Sequence, residues 1–143
     1  AQKGTLHRNF QGYSTHAGCS IAGFGPSAIS QTKKSYRQNT KDLGVYTEAI
    51  NNGNLPIEKG LILTDEDQLR RDIIMQIMCK GSVNFHALSS TWDLPLDHFA
   101  NDFKAFQPLI DDGLISFSSH TLQVTQIGRF FLRHVAKVFD KYI

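Results

Sequence analysis

The 143-residue sequence has only two cysteines, Cys19 and Cys79, 60 positions apart. Such a pair makes neither a disulfide framework nor a zinc site on its own. Each reads as a small apolar filler. No apolar run approaches the ~20 residues of a membrane-spanning helix, and no signal-peptide core is present, so a cytoplasmic protein with no membrane partner is expected. There is no H-E-x-x-H pair, no Gly-x-Ser-x-Gly elbow, and no Gly-Lys-Ser/Thr after Gly23-Phe24-Gly25. Zinc hydrolysis, the esterase elbow and a phosphate loop therefore lose their motifs.

Acidic residues are missing altogether from residues 1–41, which carry Lys3, Arg8, Lys33, Lys34, Arg37 and Lys41. The rest of the chain holds nine basic and thirteen acidic residues, so +6 and −4 give the net charge of +2. That asymmetry marks a basic arm or two modules. Ten phenylalanines and 41% hydrophobic residues are ample for an ordered core, which excludes a disordered chain.

Residues 1–30 are rich in Gly, Ser and Thr. Ser20–Ser30 reads as a short buried strand with a turn at Gly25-Pro26, and residues 31–41 as a polar surface connection. Leu43, Tyr46 and Ile50 share a helical face over 41–51, and Asn51-Asn52-Gly53-Asn54 stops that helix. Thr64 with Asp67 forms a capping box for the next, whose buried face is Leu69, Ile73, Ile74, Ile77 and Met78, ending at Gly81. A short helix over 83–92 is built on Phe85, Leu88 and Trp92. A third begins near Leu96 and repeats Leu96, Phe99, Phe103, Phe106 and Ile110, with Pro108 bending its last turn. Leu114–Phe117 and Thr121–Val124 alternate as a β-hairpin. Thr125 caps a closing helix with the apolar face Ile127, Phe130, Phe131, Val135, Val138, Phe139 and Tyr142; His134, beside that face, is expected to pack partly buried.

The expected fold is α+β and mostly helical. Three helices, a hairpin and a closing helix follow the order of a winged-helix domain. Its third helix carries Asp97, Asp102, Asp111 and Asp112 against Lys104 alone. Phosphates would be repelled there, so no nucleic-acid partner is expected, although a winged-helix nucleic-acid module is the main alternative.

Several segments carry a resemblance: Leu6–Thr15 (LHRNFQGYST), Gly23–Ser30 (GFGPSAIS), Tyr36–Asn39, Gly60–Asp65, Arg70–Ile74, Trp92–Leu94 and Asp111–Ile115. From about Leu6 to Tyr142 the chain resembles the C-terminal part of the oxygen-independent coproporphyrinogen III oxidase family, radical S-adenosylmethionine enzymes of haem synthesis. The resemblance implies oxidative decarboxylation of two propionates of coproporphyrinogen III to vinyls, giving protoporphyrinogen IX. It implies S-adenosylmethionine and a [4Fe–4S] cluster as cofactors.

The family's C-x-x-x-C-x-x-C motif is absent here, so the chain alone is expected to be inactive and to lack its catalytic and metal-binding residues. The implied layout is a strand remnant of a TIM-like barrel over 1–40, a linking helix and loop over 41–58, and the winged-helix-like domain over 59–143. The missing N-terminal barrel would be the natural partner, and the arm is expected to self-associate by edge pairing. By the same resemblance, Phe10, Gln11 and Ile29 are candidates for binding S-adenosylmethionine. Lys33, Lys34 and Arg37 are candidates for steering the anionic substrate. Ser20 stands where the family more often has an acid. A non-catalytic tetrapyrrole-binding relative is the remaining alternative.

Overall fold

A computed structural model describes residues 7–9, 12–16 and 18–142, which fall into two units. One holds His16–Gln68; the other holds Leu69 onward together with the two short strands near the start of the chain.

In the smaller unit, β3 (Ile29–Gln31), β4 (Ser35–Asn39) and β5 (Ile57–Ile62) form an antiparallel meander in the order β3-β4-β5. The helix α1 (Leu43–Asn51) lies between β4 and β5, with Asp42 accepting from the Val45 amide at 2.9 Å as its N-cap. Residues 31–41 are therefore not a mere connection. Ser35–Asn39 within them is β4, a strand without the alternating apolar pattern that would have announced it. The expected strand over 20–30 shortens to β3 plus a single bridge from Ile21 to Gln31, and none of its residues is fully buried. The turn at Gly25-Pro26 is where the sequence puts it: the Ala28 amide donates to the Gly25 carbonyl, and Ser27 takes φ 60°. The expected boundaries after residues 40 and 58 fall inside this unit, because β5 returns to pair with β4.

The larger unit begins with β1 (His7–Asn9) paired to β2 (Gly12–Ser14). The described arm strands thus pair with each other, and Arg8 lies beside Cys79 of the long helix α2 (Asp65–Lys80). The capping box at the start of α2 is complete. The Asp67 amide donates to Thr64 Oγ1 at 3.1 Å, and Asp67 Oδ2 accepts from the Thr64 amide at 2.9 Å. Leu69, Ile73 and Ile77 are buried as the spacing requires, and Gly81 ends the helix with φ 72°.

Next come β6 (Ser82–Asn84) and α3 (Phe85–Trp92), capped by Asn84. The expected third helix is broken into a 3₁₀ turn (Leu96–Phe99), α4 (Ala100–Lys104) and α5 (Gln107–Asp111). The break falls before Pro108, which occupies the first turn of α5, where its missing N–H costs nothing. The hairpin β7 (Ile115–Ser118) and β8 (Thr121–Val124) forms as expected, and β6 joins it in the order β6-β8-β7. The core of this unit includes Leu69, Phe85, Phe99, Phe106, Leu122 and Phe139.

The closing helix differs from its expected form. Gly128–Phe131 is a 3₁₀ turn, and only α6 (Leu132–Lys137) is α-helical. Val135 and Phe139 are buried, but Ile127, Phe130, Phe131 and Tyr142 are exposed. The reason lies at Gly128, whose amide donates to the capping hydroxyl of Thr125 at 2.9 Å. That hydroxyl also donates to the Gly113 carbonyl at 2.7 Å, tying the helix start to the turn before β7. A Cβ on Gly128 would meet the Leu114 carbonyl oxygen at 1.9 Å. This lock fixes the rotation of the first turn, and the face written into residues 127–131 points outward. Gly128→Ala should cost about 1–3 kcal/mol of unfolding free energy through overpacking. Chemical denaturation measures it, and a loss within experimental error would show that the lock carries no weight.

Candidate functional site

Ile29 lies on β3 directly opposite Gln38 of β4, and Ser30 lies opposite Arg37. Opposed residues share a sheet face, and successive residues alternate. Ile29 therefore shares a face with Gln31, Tyr36 and Gln38, whereas Arg37 stands on the other face with Ser30. Arg37 is exposed, and its neighbour on β5 is Gly60, which offers no side chain to cover it from that strand. Lys33 and Lys34 are exposed in the β3–β4 turn. That turn is held by Thr32, whose hydroxyl accepts from the Ser35 amide at 2.9 Å. The structure thus places Ile29 and Arg37 on opposite faces. Phe10 and Gln11 lie outside the described residues.

The loop that leads into Ile29 is fixed by polar contacts. Asn39, 8% exposed, donates through Nδ2 to the carbonyls of Gly25 at 3.0 Å and Gly23 at 3.3 Å. The Gly23 amide donates to Ser30 Oγ at 3.0 Å, and the Gly25 amide to Tyr46 Oη of α1 at 3.0 Å. Gly23 also passes so close to β3 that a Cβ would meet the Ile29 carbonyl oxygen at 2.7 Å. Gly23 is thus required by close backbone approach.

Asn39 and Tyr46 hold the loop, yet periodicity points to neither for this role. Tyr46 reads as one apolar position on a helix, and Asn39 as the end of a polar connection. Cys19 is exposed, so it is not a filler; Cys79 is partly buried on α2, and burial pushes its thiol pKa up against the opposing pull of Arg8 and Lys80. His134 is exposed rather than packed.

Asn39→Ala should strand two carbonyls and cost about 1–3 kcal/mol, locally rather than globally. Hydrogen exchange at the Gly23, Gly25 and Ala28 amides should accelerate while the amides of α2 keep their protection. Unchanged exchange in the loop would show that Asn39 does not hold it.

Residues 63–131 match the family model described as the HemN C-terminal domain. The oxygen-independent coproporphyrinogen III oxidase of Salmonella typhimurium is 37% identical over 143 residues, spanning 99% of this chain and 31% of the relative. The enzyme of the same name from Thermostichus vulcanus is 39% identical over 144 residues, spanning 99% of this chain and 44% of that relative. Among solved structures, the chain is similar to the Escherichia coli coproporphyrinogen III oxidase HemN, described as a radical SAM enzyme. The TM-score is 0.93 at 37% identity, over 99% of this chain and 33% of the other. The chain therefore spans about a third of the length of most of these relatives. Residues 63–131 thus match the HemN C-terminal domain, in a chain that is similar along 99% of its length to the C-terminal third of oxygen-independent coproporphyrinogen III oxidases.

Proposed function

We propose that this chain is the C-terminal portion of an oxygen-independent coproporphyrinogen III oxidase, a cytoplasmic enzyme that converts two propionates of coproporphyrinogen III to vinyls. The observation that carries the reading is the match of 99% of the chain to the Escherichia coli enzyme at a TM-score of 0.93 with 37% identity. A likeness of fold alone would leave function open. Here sequence and fold agree along the same residues.

The residues present do not fit the iron–sulfur cluster. Such clusters need three or four thiolates at close spacing. Cys19 is exposed in one unit and Cys79 half-buried on α2 in the other. The cluster therefore belongs to the other two-thirds of the enzyme, along with the barrel that would carry it.

Ile29 fits a cofactor contact better. Its aliphatic side chain is only partly covered, on a strand whose approach loop is pinned by Asn39, Tyr46 and Ser30. S-adenosylmethionine, when bound, supplies the radical precursor for the reaction. This chain would supply apolar contact from Ile29, with Phe10 and Gln11 nearby in the sequence, and a backbone already in position. Lys33 and Lys34 would steer the carboxylates of the substrate toward the site. Arg37, on the other sheet face, would act only through the long-range field.

The larger unit is read as winged-helix-like, a reading supported by its element order and the sheet order β6-β8-β7. Its acidic third segment opposes phosphate binding, and Asp102 already pairs with Arg70 at 2.5 Å. Packing or covering the catalytic domain suits this unit better than reading DNA. The strand segment around β3 would border the barrel.

The test is anaerobic turnover by the full-length protein that contains this chain, loaded with its cluster and supplied with S-adenosylmethionine. Protoporphyrinogen IX should form, and the 143-residue chain alone should produce none. Reversing Lys33 and Lys34 to Glu should raise KM with little change in kcat. Absence of product from the loaded full-length protein would overturn the reading, and porphyrin retained without turnover would favour a non-catalytic tetrapyrrole-binding relative.

A further inference from the structure

A cleft of about 560 Å³ opens in the larger unit between α2 and α6, with Arg8 of β1 at its edge. Ile74 and Met78 stand one turn apart on α2 and give it an apolar wall. Ala136, buried and small, leaves the space open on the α6 side. Arg133 and Lys137 stand one turn apart on α6, and both line the cleft. Asp140 is the only carboxylate among the lining residues; His134 also contributes.

Three permanent cations against one carboxylate leave the cleft electropositive. Two of them, Arg133 and Lys137, are like charges at i and i+4, a spacing that destabilises the helix carrying them. Nothing in the packing of α6 calls for that pair, since its buried contacts come from Val135 and Ala136. A bound anion would turn the repulsion into attraction. Arg8 is pre-positioned as well, its guanidinium lying 5.9 Å from the centre of the Tyr13 ring. A wall of thioether and aliphatic groups beneath a cationic rim suits a ligand that is apolar in its body and anionic at its edge.

We propose that this cleft binds an amphipathic polycarboxylate, a tetrapyrrole whose propionates meet Arg8, Arg133 and Lys137 while a macrocycle edge lies on Ile74 and Met78. The chemistry of the ligand follows from the cleft; its identification as a tetrapyrrole rests on the proposed function. None of the residues lining the cleft belongs to the unit that carries Ile29.

Coproporphyrin III, the stable oxidised form of the substrate, is the probe. It is titrated into the 143-residue chain and followed by its absorbance shift and fluorescence. The unsubstituted chain should bind it, with affinity falling as salt rises. The double variant R133E/K137E should lose about tenfold or more in affinity, the size expected of two partly exposed charge pairs. The variant R133K/K137R should retain binding, and reversal of the exposed Lys104 should leave it unchanged. Circular dichroism confirms that each variant folds. No binding by the unsubstituted chain, or equal binding by R133E/K137E, overturns the proposal.

A second arm separates this proposal from the proposed function. Porphyrin binding that depends on Arg133 and Lys137 supports the cleft even if the full-length protein forms no product. Normal turnover by the full-length protein with unsubstituted-like porphyrin binding by R133E/K137E overturns the cleft and leaves the reaction standing.

Discussion

Phe85 is the residue on which the larger unit depends. It is fully buried at the first position of α3, and its ring centre lies 5.0 Å from Phe103, 5.1 Å from Phe99 and 6.0 Å from Phe106. Phe117 of β7 and Phe139 complete the surround at 6.2 and 6.3 Å. One ring thus meets aromatic residues from the 3₁₀ turn before α4, from α4, from the turn that follows it, from β7 and from the segment after α6. Aromatic pairs of this kind contribute about 0.5–1.5 kcal/mol each beyond the area they bury. Truncating a buried Phe typically costs about 3–5 kcal/mol, a large share of the ~5–15 kcal/mol that holds a domain together. The backbone of Phe85 is tied as well, since its amide donates to the His120 carbonyl in the hairpin turn at 2.9 Å. Around this ring, the break before Pro108 has a purpose. It lets Phe103 on α4 and Phe106 in the turn before α5 both reach Phe85.

Polar side chains complete the frame at its edges. Trp92 Nε1 donates to Asp72 Oδ2 at 3.1 Å and joins α3 to α2. Arg70 pairs with the nearly buried Asp102, whose other oxygen has no hydrogen-bond partner among the described residues. A pair of this kind contributes little net stability, but removing one partner would leave a buried charge. Arg70 and Asp102 therefore specify how α2 meets α4 more than they strengthen it.

The amphipathic α2, the capping box at Thr64, the stop at Gly81 and the β7–β8 hairpin were legible in the sequence because each is a local pattern. Leu69, Ile73 and Ile77 recur at helical spacing and are buried together. What escaped were features set by non-local contacts. The strand β5 is exposed along its whole length and β4 is nearly all polar, so neither shows the alternation that reveals a half-buried strand. The closing helix carried a convincing apolar face, yet the contact of Gly128 with the Leu114 carbonyl turned its first residues outward. At the candidate site the motif GFGPSAIS was visible. The hydrogen bonds from Asn39 and Tyr46 that shape it come from residues 14 to 21 positions away and have no spacing signature.

The two units carry different features of the proposed role. The smaller holds Ile29 on a strand with a rigid approach loop. The larger holds an aromatic core and a cationic cleft. Each holds a single cysteine, too few for a cluster, so the central proposal is that this chain completes an enzyme whose cluster lies elsewhere. The most direct measurement is reconstitution from two pieces: the N-terminal remainder of the full-length protein, loaded with its cluster, is assayed with and without the 143-residue chain. The account predicts no protoporphyrinogen IX from the remainder alone and product formation that saturates as the chain is added. Full turnover by the remainder without the chain would contradict it.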